Sequence, residues 1–128
     1  RVTMSVSTMP ILIVDDYNTM IRILRNLLRQ LGFTNIDEAS DGRTALAKMQ
    51  SKTYAFVISD WSMNSMSGIE LMKQARANEK TAETPFVMLA NDNEEGEAEA
   101  RAGASSYLVK PFTAQALKER LVPVIGAF

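Results

Sequence analysis

Ile11-Leu12-Ile13-Val14 is apolar at every position, as are Phe86-Val87-Met88-Leu89, Phe56-Val57-Ile58 and Tyr107-Leu108-Val109. A strand with one wet face alternates apolar and polar residues, whereas a strand without alternation has protein against both faces. Such runs therefore point to a parallel sheet covered by helices on both sides, and the stretches between them agree. Met20, Leu24, Leu27, Leu28 and Leu31 recur at three- and four-residue spacing over about 17–31, and Gly32 is placed for a left-handed stop. Arg22, Arg25 and Arg29 fall on the opposite face, read as solvated helix surface. Strand two, about 35–39, is acidic, as an edge strand can be. Asp41-Gly42 leads into a second helix with Ala45, Leu46 and Met49 inward. Strand three is expected over 54–59, and a third helix over about 68–77 turns Ile69, Met72 and Ala75 to the core. Thr84-Pro85 introduces strand four, 86–89, and strand five is 106–109. Between them, a fourth helix over about 93–102 is the poorest. It holds Glu94, Glu95, Glu97 and Glu99, nothing larger than Ala to bury, and a Gly96 that costs about 1 kcal/mol against Ala. A short, mobile or partly unwound segment is expected there. A fifth helix starts at Thr113 as N-cap and buries Ala116 or Ala114, Leu117 and Leu121. Pro123 is expected to end or kink it, with the apolar tail from Val124 to Phe128 capping the core. The expectation is an α/β domain, a doubly wound parallel sheet of five strands flanked by five helices.

Composition narrows the chemistry more than it narrows the fold. At 128 residues, 46% hydrophobic and 23% charged, the chain has the make-up of one ordinary globular domain that buries roughly two-thirds of its unfolded surface. Residues 1–9 read as a leader and 10–128 as the domain. With no signal-peptide pattern and no apolar run of membrane length, a cytoplasmic location without membrane contact is expected. The chain has neither Cys nor His, which removes thiol nucleophiles, disulfides, Cys or His zinc sites and imidazole bases. A formal charge of −1 supplies no field to draw in nucleic acid.

What remains is carboxylate, amide, hydroxyl and amine chemistry, and it gathers at strand ends. Strand one runs into Asp15 and Asp16, strand three into Asp60, strand four into Asn91 and Asp92, and strand five into Lys110. In an open parallel sheet, ligands bind beyond the carboxyl ends of the strands. Taken singly, each residue has a plain alternative: Asp15 and Asp16 would cap a helix, Asp60 would open a turn, and Lys110 would sit on the surface before a Pro. Taken together they describe a site. Two carboxylates about 4 Å apart repel by about 4 kcal/mol at an effective dielectric near 20, so three acids and one Lys ask for a cation. An all-oxygen ligand set with room for water suits Mg²⁺. Carboxylate, Mg²⁺ and Lys together can stabilise a phosphoryl group in transfer, with Asp60 as the nucleophile.

Over about residues 9–121 the chain resembles the receiver domain of two-component response regulators, and within that family its single-domain, CheY-like chemotaxis members. The resemblance is carried by Ile13-Val14-Asp15-Asp16, the run from Met20 to Leu28, Leu31-Gly32-Phe33, Asp41-Gly42, and Val57-Ile58-Ser59-Asp60-Trp61. Met63, Met66, Gly68, Gly103-Ala104-Ser105 and Lys110-Pro111-Phe112 complete it. The resemblance implies a flavodoxin-like sheet of order 2-1-3-4-5; that order is taken from the family and not from the residues. It implies that Asp60 is the phosphoacceptor for a histidine kinase. By the same match Asp15, Asp16, Asp60 and the backbone carbonyl of Ser62 hold Mg²⁺, and Lys110 contacts the phosphoryl oxygens, aimed by a cis Lys110-Pro111 bond. Tyr107 would be the aromatic that reports activation to a downstream target, of which the flagellar switch is one. The plain reading of Tyr107 is a half-buried strand aromatic with a wet hydroxyl. The implied chemistry is self-catalysed transfer to and hydrolysis from Asp60, not turnover of an external substrate, in a monomer.

Three features depart from the family pattern. Ala90 stands where the family places a Thr or Ser whose hydroxyl meets the phosphoryl group and couples it to the aromatic. Asn64 and Ser67 stand where Pro and Asp are common, which makes the loop after Asp60 less rigid. The acidic fourth helix argues against the flagellar switch as target. Ala90 points to the alternative of a pseudo-receiver or phosphate sink, an interaction scaffold that switches weakly. A small-molecule phosphatase is disfavoured, because the chain has no length for a cap domain and no second acid near Asp60 beyond Asp16.

Overall fold

The computed structural model describes residues 5–91 and 103–128. Every apolar run is a strand, and the acidic stretch is a fifth: β1 (Ile11–Val14), β2 (Ile36–Ala39), β3 (Phe56–Asp60), β4 (Phe86–Ala90) and β5 (Ser106–Val109). They form one parallel sheet in the order β2-β1-β3-β4-β5. The inner strands β1, β3 and β4 are buried at every position; the acidic β2 is one edge, and β5, despite its apolar run, is the other and is half-buried at both ends. Four helices lie among the described residues: α1 (Asn18–Gln30), α2 (Gly42–Ser51), α3 (Gly68–Ala77) and α4 (Ala114–Ile125). α4 is the fifth helix of the sequence reading, and the fourth, expected over 93–102, lies outside the described residues. None is long and apolar enough to cross a membrane.

Because side chains alternate across a strand, each inner strand feeds two cores. Leu12, Val14, Val57, Phe86 and Met88 pack with α2 and α3 on one side. Ile11, Ile13, Phe56, Ile58, Val87 and Leu89 pack with α1 and α4 on the other. α1 buries Ile21, Leu24 and Leu28, while the expected Met20, Leu27 and Leu31 are partly buried beside them; Ile21 was missing from the expected stripe. Gly32, at φ 105°, takes the left-handed turn after α1. On β2 the acidic residues are paired with bases of the flanking helices: Glu38 with Arg25 in the middle of α1, and Asp37 with Lys52 at the end of α2 at 3.0 Å. The Tyr54 hydroxyl also donates to Asp37 at 2.7 Å, and together these hold the Asp37 carboxyl below its usual range.

Strand three begins two residues later than expected and includes Asp60, whose register partner is Leu89. β4 runs one residue past the expected 86–89, to Ala90, and a further departure is at Pro123, which neither ends α4 nor prevents the turn beyond it. The helix continues to Ile125 and closes when the Gly126 N–H donates to the Val122 carbonyl at 2.8 Å. Proline removes one donor, to the carbonyl four residues back, and that residue, Glu119, is exposed where water can take its place. The following turn is held by packing, as Val124, Ile125 and Phe128 all lie against the α1/α4 core. Phe128 meets Phe33 edge-on at 5.5 Å, so the tail caps the core. At the other terminus Val6–Thr8 form a 3-10 turn, fastened when the Thr34 hydroxyl donates to the Ser7 carbonyl at 2.6 Å, and Met9 is buried.

Candidate functional site

The sheet register decides what meets at the carboxyl edge. Val14 lies beside Ser59, Asp60 beside Leu89, and Ala90 beside Val109, so the residues that follow β1, β4 and β5 emerge around the end of β3. The ladder continues for one step beyond the strands: the Trp61 N–H donates to the Leu89 carbonyl at 2.7 Å, and the Lys110 N–H to the Ala90 carbonyl at 2.8 Å. Asp60 is therefore held by backbone on its β4 side, and Lys110 is brought in over the end of β4. Gly68 opens α3 immediately beneath it, because its N–H donates to the Trp61 carbonyl at 2.9 Å. A Cβ at that position would fall 2.1 Å from the Asp60 carbonyl oxygen, so only glycine permits this approach.

Asp15, Asp16 and Asp60 each bring one carboxylate oxygen within 4.8 Å of the others. Asp15 and Asp60 are buried and Asp16 is exposed, so the cluster has a dry floor and a wet rim. Neither acid after β1 caps α1. The N-cap is Tyr17 without a side-chain bond, and the first turn contains no acid. Asp15 Oδ1 instead accepts the Tyr17 N–H at 2.9 Å, the Asx-type turn. Asp16 Oδ2 accepts the Asn64 N–H at 2.9 Å, which ties the loop after β3 back to the acids. Lys110 Nζ lies 2.8 Å from Asp60 Oδ1, and the Lys110-Pro111 bond is cis. Burial pushes the Asp15 carboxyl up to about 6, with the Tyr17 N–H opposing the rise and the charge of Asp60 adding to it.

The fit to a hard cation rests on one atom. Asp15 Oδ2 is buried and has no hydrogen-bond partner among the described residues, although a buried carboxylate oxygen ordinarily takes one. An oxygen-only set of three carboxylates, one of which keeps an unpartnered buried oxygen, suits Mg²⁺. Ser62, the expected carbonyl ligand, lies two residues after Asp60 in the loop leading to α3 and is exposed. Ala90 closes β4, 1% exposed, and offers no polar side-chain atom. Tyr107, on β5, is more deeply placed than its plain reading supposed: it is 9% exposed and belongs with Met72, Met88 and Ala90 to the α2/α3 core.

Sequence reasoning missed the loop. The Asn64 N–H on Asp16 joins residues 48 apart and leaves no local signal. The Tyr17 N–H on Asp15 did have one, since an Asp two residues before a helix N-cap is the usual Asx-turn pattern. Trp61, noted only for its place beside Asp60, has a buried indole nitrogen without a partner among the described residues.

Residues 11–122 match the model of the response regulator receiver domain family. The chemotaxis protein CheY of Pseudomonas aeruginosa is 48% identical over 115 residues, covering 88% of this chain and 93% of that protein. CheY-3 of Vibrio cholerae is 49% identical over 115 residues, 88% of each chain. Among solved structures, the chemotaxis response regulator CheY4 of Vibrio cholerae aligns with a TM-score of 0.81 and 36% identity, covering 91% of this chain and 99% of that one. The receiver domain of a sensor histidine kinase from Pseudomonas aeruginosa aligns with a TM-score of 0.83 and 26% identity, covering 93% and 98%. That domain was crystallised with a magnesium ion coordinated in its active-site cleft.

Proposed function

Because this chain belongs to the family of response regulator receiver domains, we propose that it is a phosphorylation-dependent signalling receiver of the chemotaxis type. Asp60 takes a phosphoryl group from a histidine kinase, and the changed surface is read by a downstream protein through direct contact. The observation that carries this reading is Lys110 Nζ at 2.8 Å from an Asp60 carboxylate that already shares its pocket with two further acids. A structural ion pair would need no extra negative charge beside it.

In the transfer, the phosphorus–nitrogen bond of a phosphohistidine breaks as a bond from phosphorus to an Asp60 carboxylate oxygen forms. The imidazole nitrogen keeps the electron pair and takes a proton. With no His of its own, the chain depends on an outside donor. Asp15, Asp16, Asp60 and the Ser62 carbonyl are the residues that would hold Mg²⁺, which when bound offsets the charge of carboxylates and phosphoryl oxygens. Lys110 turns from Asp60 to the arriving phosphoryl oxygens and keeps them neutralised on the buried floor of the site. The fixed backbone around Asp60 holds the nucleophile in line. Hydrolysis later returns Asp60 as a carboxylate and releases inorganic phosphate, without turnover of another substrate. The protein works as a monomer.

Ala90 favours a second reading, in which Asp60 is phosphorylated but the state is passed on weakly. Such a receiver serves as a scaffold or a phosphate sink. One experiment separates the cases: Trp61 fluorescence and intact mass during addition of Mg²⁺ and then acetyl phosphate, with Asp60→Asn as control. A phosphoryl adduct that needs both Mg²⁺ and Asp60 is expected, and its absence overturns the receiver reading. If the adduct forms while the amide shifts of Ser106–Val109 stay in place, the sink is the better description.

A further inference from the structure

Gly42 has no backbone reason to be glycine. Its φ is not positive, and it is the first residue of α2, where Ala would favour the helix. Its N-cap is intact, as Asp41 Oδ1 accepts the Thr44 N–H at 2.7 Å. What requires the missing side chain is Met66. A Cβ on Gly42 would lie 2.4 Å from Met66 Sδ and 3.0 Å from both Met66 Cβ and Cγ. Two of these three atoms are near the root of the methionine, so rotating its tip does not clear the clash. Met66 is partly buried against the α2/α3 core and belongs to the loop between β3 and α3. Two residues before it, the Asn64 N–H sits on Asp16 Oδ2 at 2.9 Å. The loop is thus held at one point by a carboxylate of the acid cluster and at another by a methionine seated on bare helix.

We infer that Gly42 and Met66 are positioning residues of the acid site: Met66, seated where Gly42 has no side chain, holds the 61–67 loop so that the Asn64 N–H orients Asp16. The loop lacks the proline that would stiffen it locally, and this seat supplies the restraint from another element. The magnesium arm of the test rests on the proposed function; the arm in metal-free protein does not.

The test is a double-mutant cycle, Gly42→Ala and Met66→Ala singly and together, read in two ways. Hydrogen exchange of the Asn64 amide in metal-free protein reports the latch itself, and the Mg²⁺ midpoint from Trp61 fluorescence reports the acids. Each single change is expected to speed Asn64 exchange and to raise the Mg²⁺ midpoint by about tenfold, the usual scale for losing a partner that orients a ligand. In the Met66→Ala background, Gly42→Ala should add nothing to either readout and should raise thermal stability, because the clash is gone and Ala suits the helix. A Gly42→Ala protein with unchanged Asn64 exchange overturns the inference, as do effects of the two changes that simply add. If the wild type shows no Mg²⁺ response, the magnesium reading fails and Asn64 exchange alone decides the latch.

Discussion

Asp15 is buried beside two other carboxylates, and its folded pKa of about 6 against an ordinary 3.8 sets the sign of a pH effect. An acid whose pKa is raised by folding binds its proton more tightly in the folded chain than in the unfolded one. The metal-free protein is therefore favoured by protonation: this contribution is intact below about pH 4 and fades as pH rises through about 6. Above that, the fold carries an ionised Asp15 with an unpartnered oxygen. Asp15→Asn should stabilise the metal-free protein at pH 8 by about 1–2 kcal/mol and change little at pH 4, as measured by urea unfolding with a chelator present. Added Mg²⁺ should reverse the ranking, since only the carboxylate offers it a charged ligand. A wild type whose metal-free stability climbs between pH 4 and 8 while the Asn variant stays flat would contradict this assignment.

Among the elements, α4 is the one whose extent depends on surroundings that the local sequence does not reveal. Its last turn holds despite Pro123 because Val124, Ile125 and Phe128 are drawn onto the core. Pro123→Ala returns an N–H for the Glu119 carbonyl, and a gain of about 1 kcal/mol is expected. That corresponds to a rise of about 4 °C in the thermal midpoint, read by circular dichroism at 222 nm. The same contrast explains what was legible beforehand. β1 and β4 were visible because burial on both faces imposes uniform apolarity, β5 because its central residues Tyr107 and Leu108 are buried, and α3 was bounded as observed from Gly68, just after the Ser67 hydroxyl that accepts the Glu70 N–H. The ends of β3 and α4 were misjudged because they depend on Leu89 and on the core, both distant in sequence. Asp15, Asp16, Asp60 and Lys110 could be picked out because parallel strands deliver their carboxyl ends to one edge. The fastening of the loop above them could not, because a backbone N–H from Asn64 and a bare Gly42 have no chemical signature of their own.

At the scale of the molecule, the acids occupy one edge of the sheet and an aromatic cluster closes the other. Phe33 is fully buried there, edge-on to Phe56 at 5.7 Å and to Phe128 at 5.5 Å. Phe33→Ala should cost about 3–5 kcal/mol in chemical unfolding, the scale of a large aromatic removed from a core. At a temperature where the variant stays folded, the Mg²⁺ midpoint at Trp61 should not move, because nothing in the aromatic cluster touches the acids. A shifted midpoint would mean that the two edges communicate through the sheet. The described ends of the chain both converge on this closed edge, with Val6 beside Gly32 and Phe128 against Phe33. A bead, a sensor chip or a fluorophore coupled at Val6 or at Phe128 would sit behind the molecule and leave the acid mouth facing open medium, so protein immobilised at either residue should meet a soluble phosphodonor as readily as free protein does.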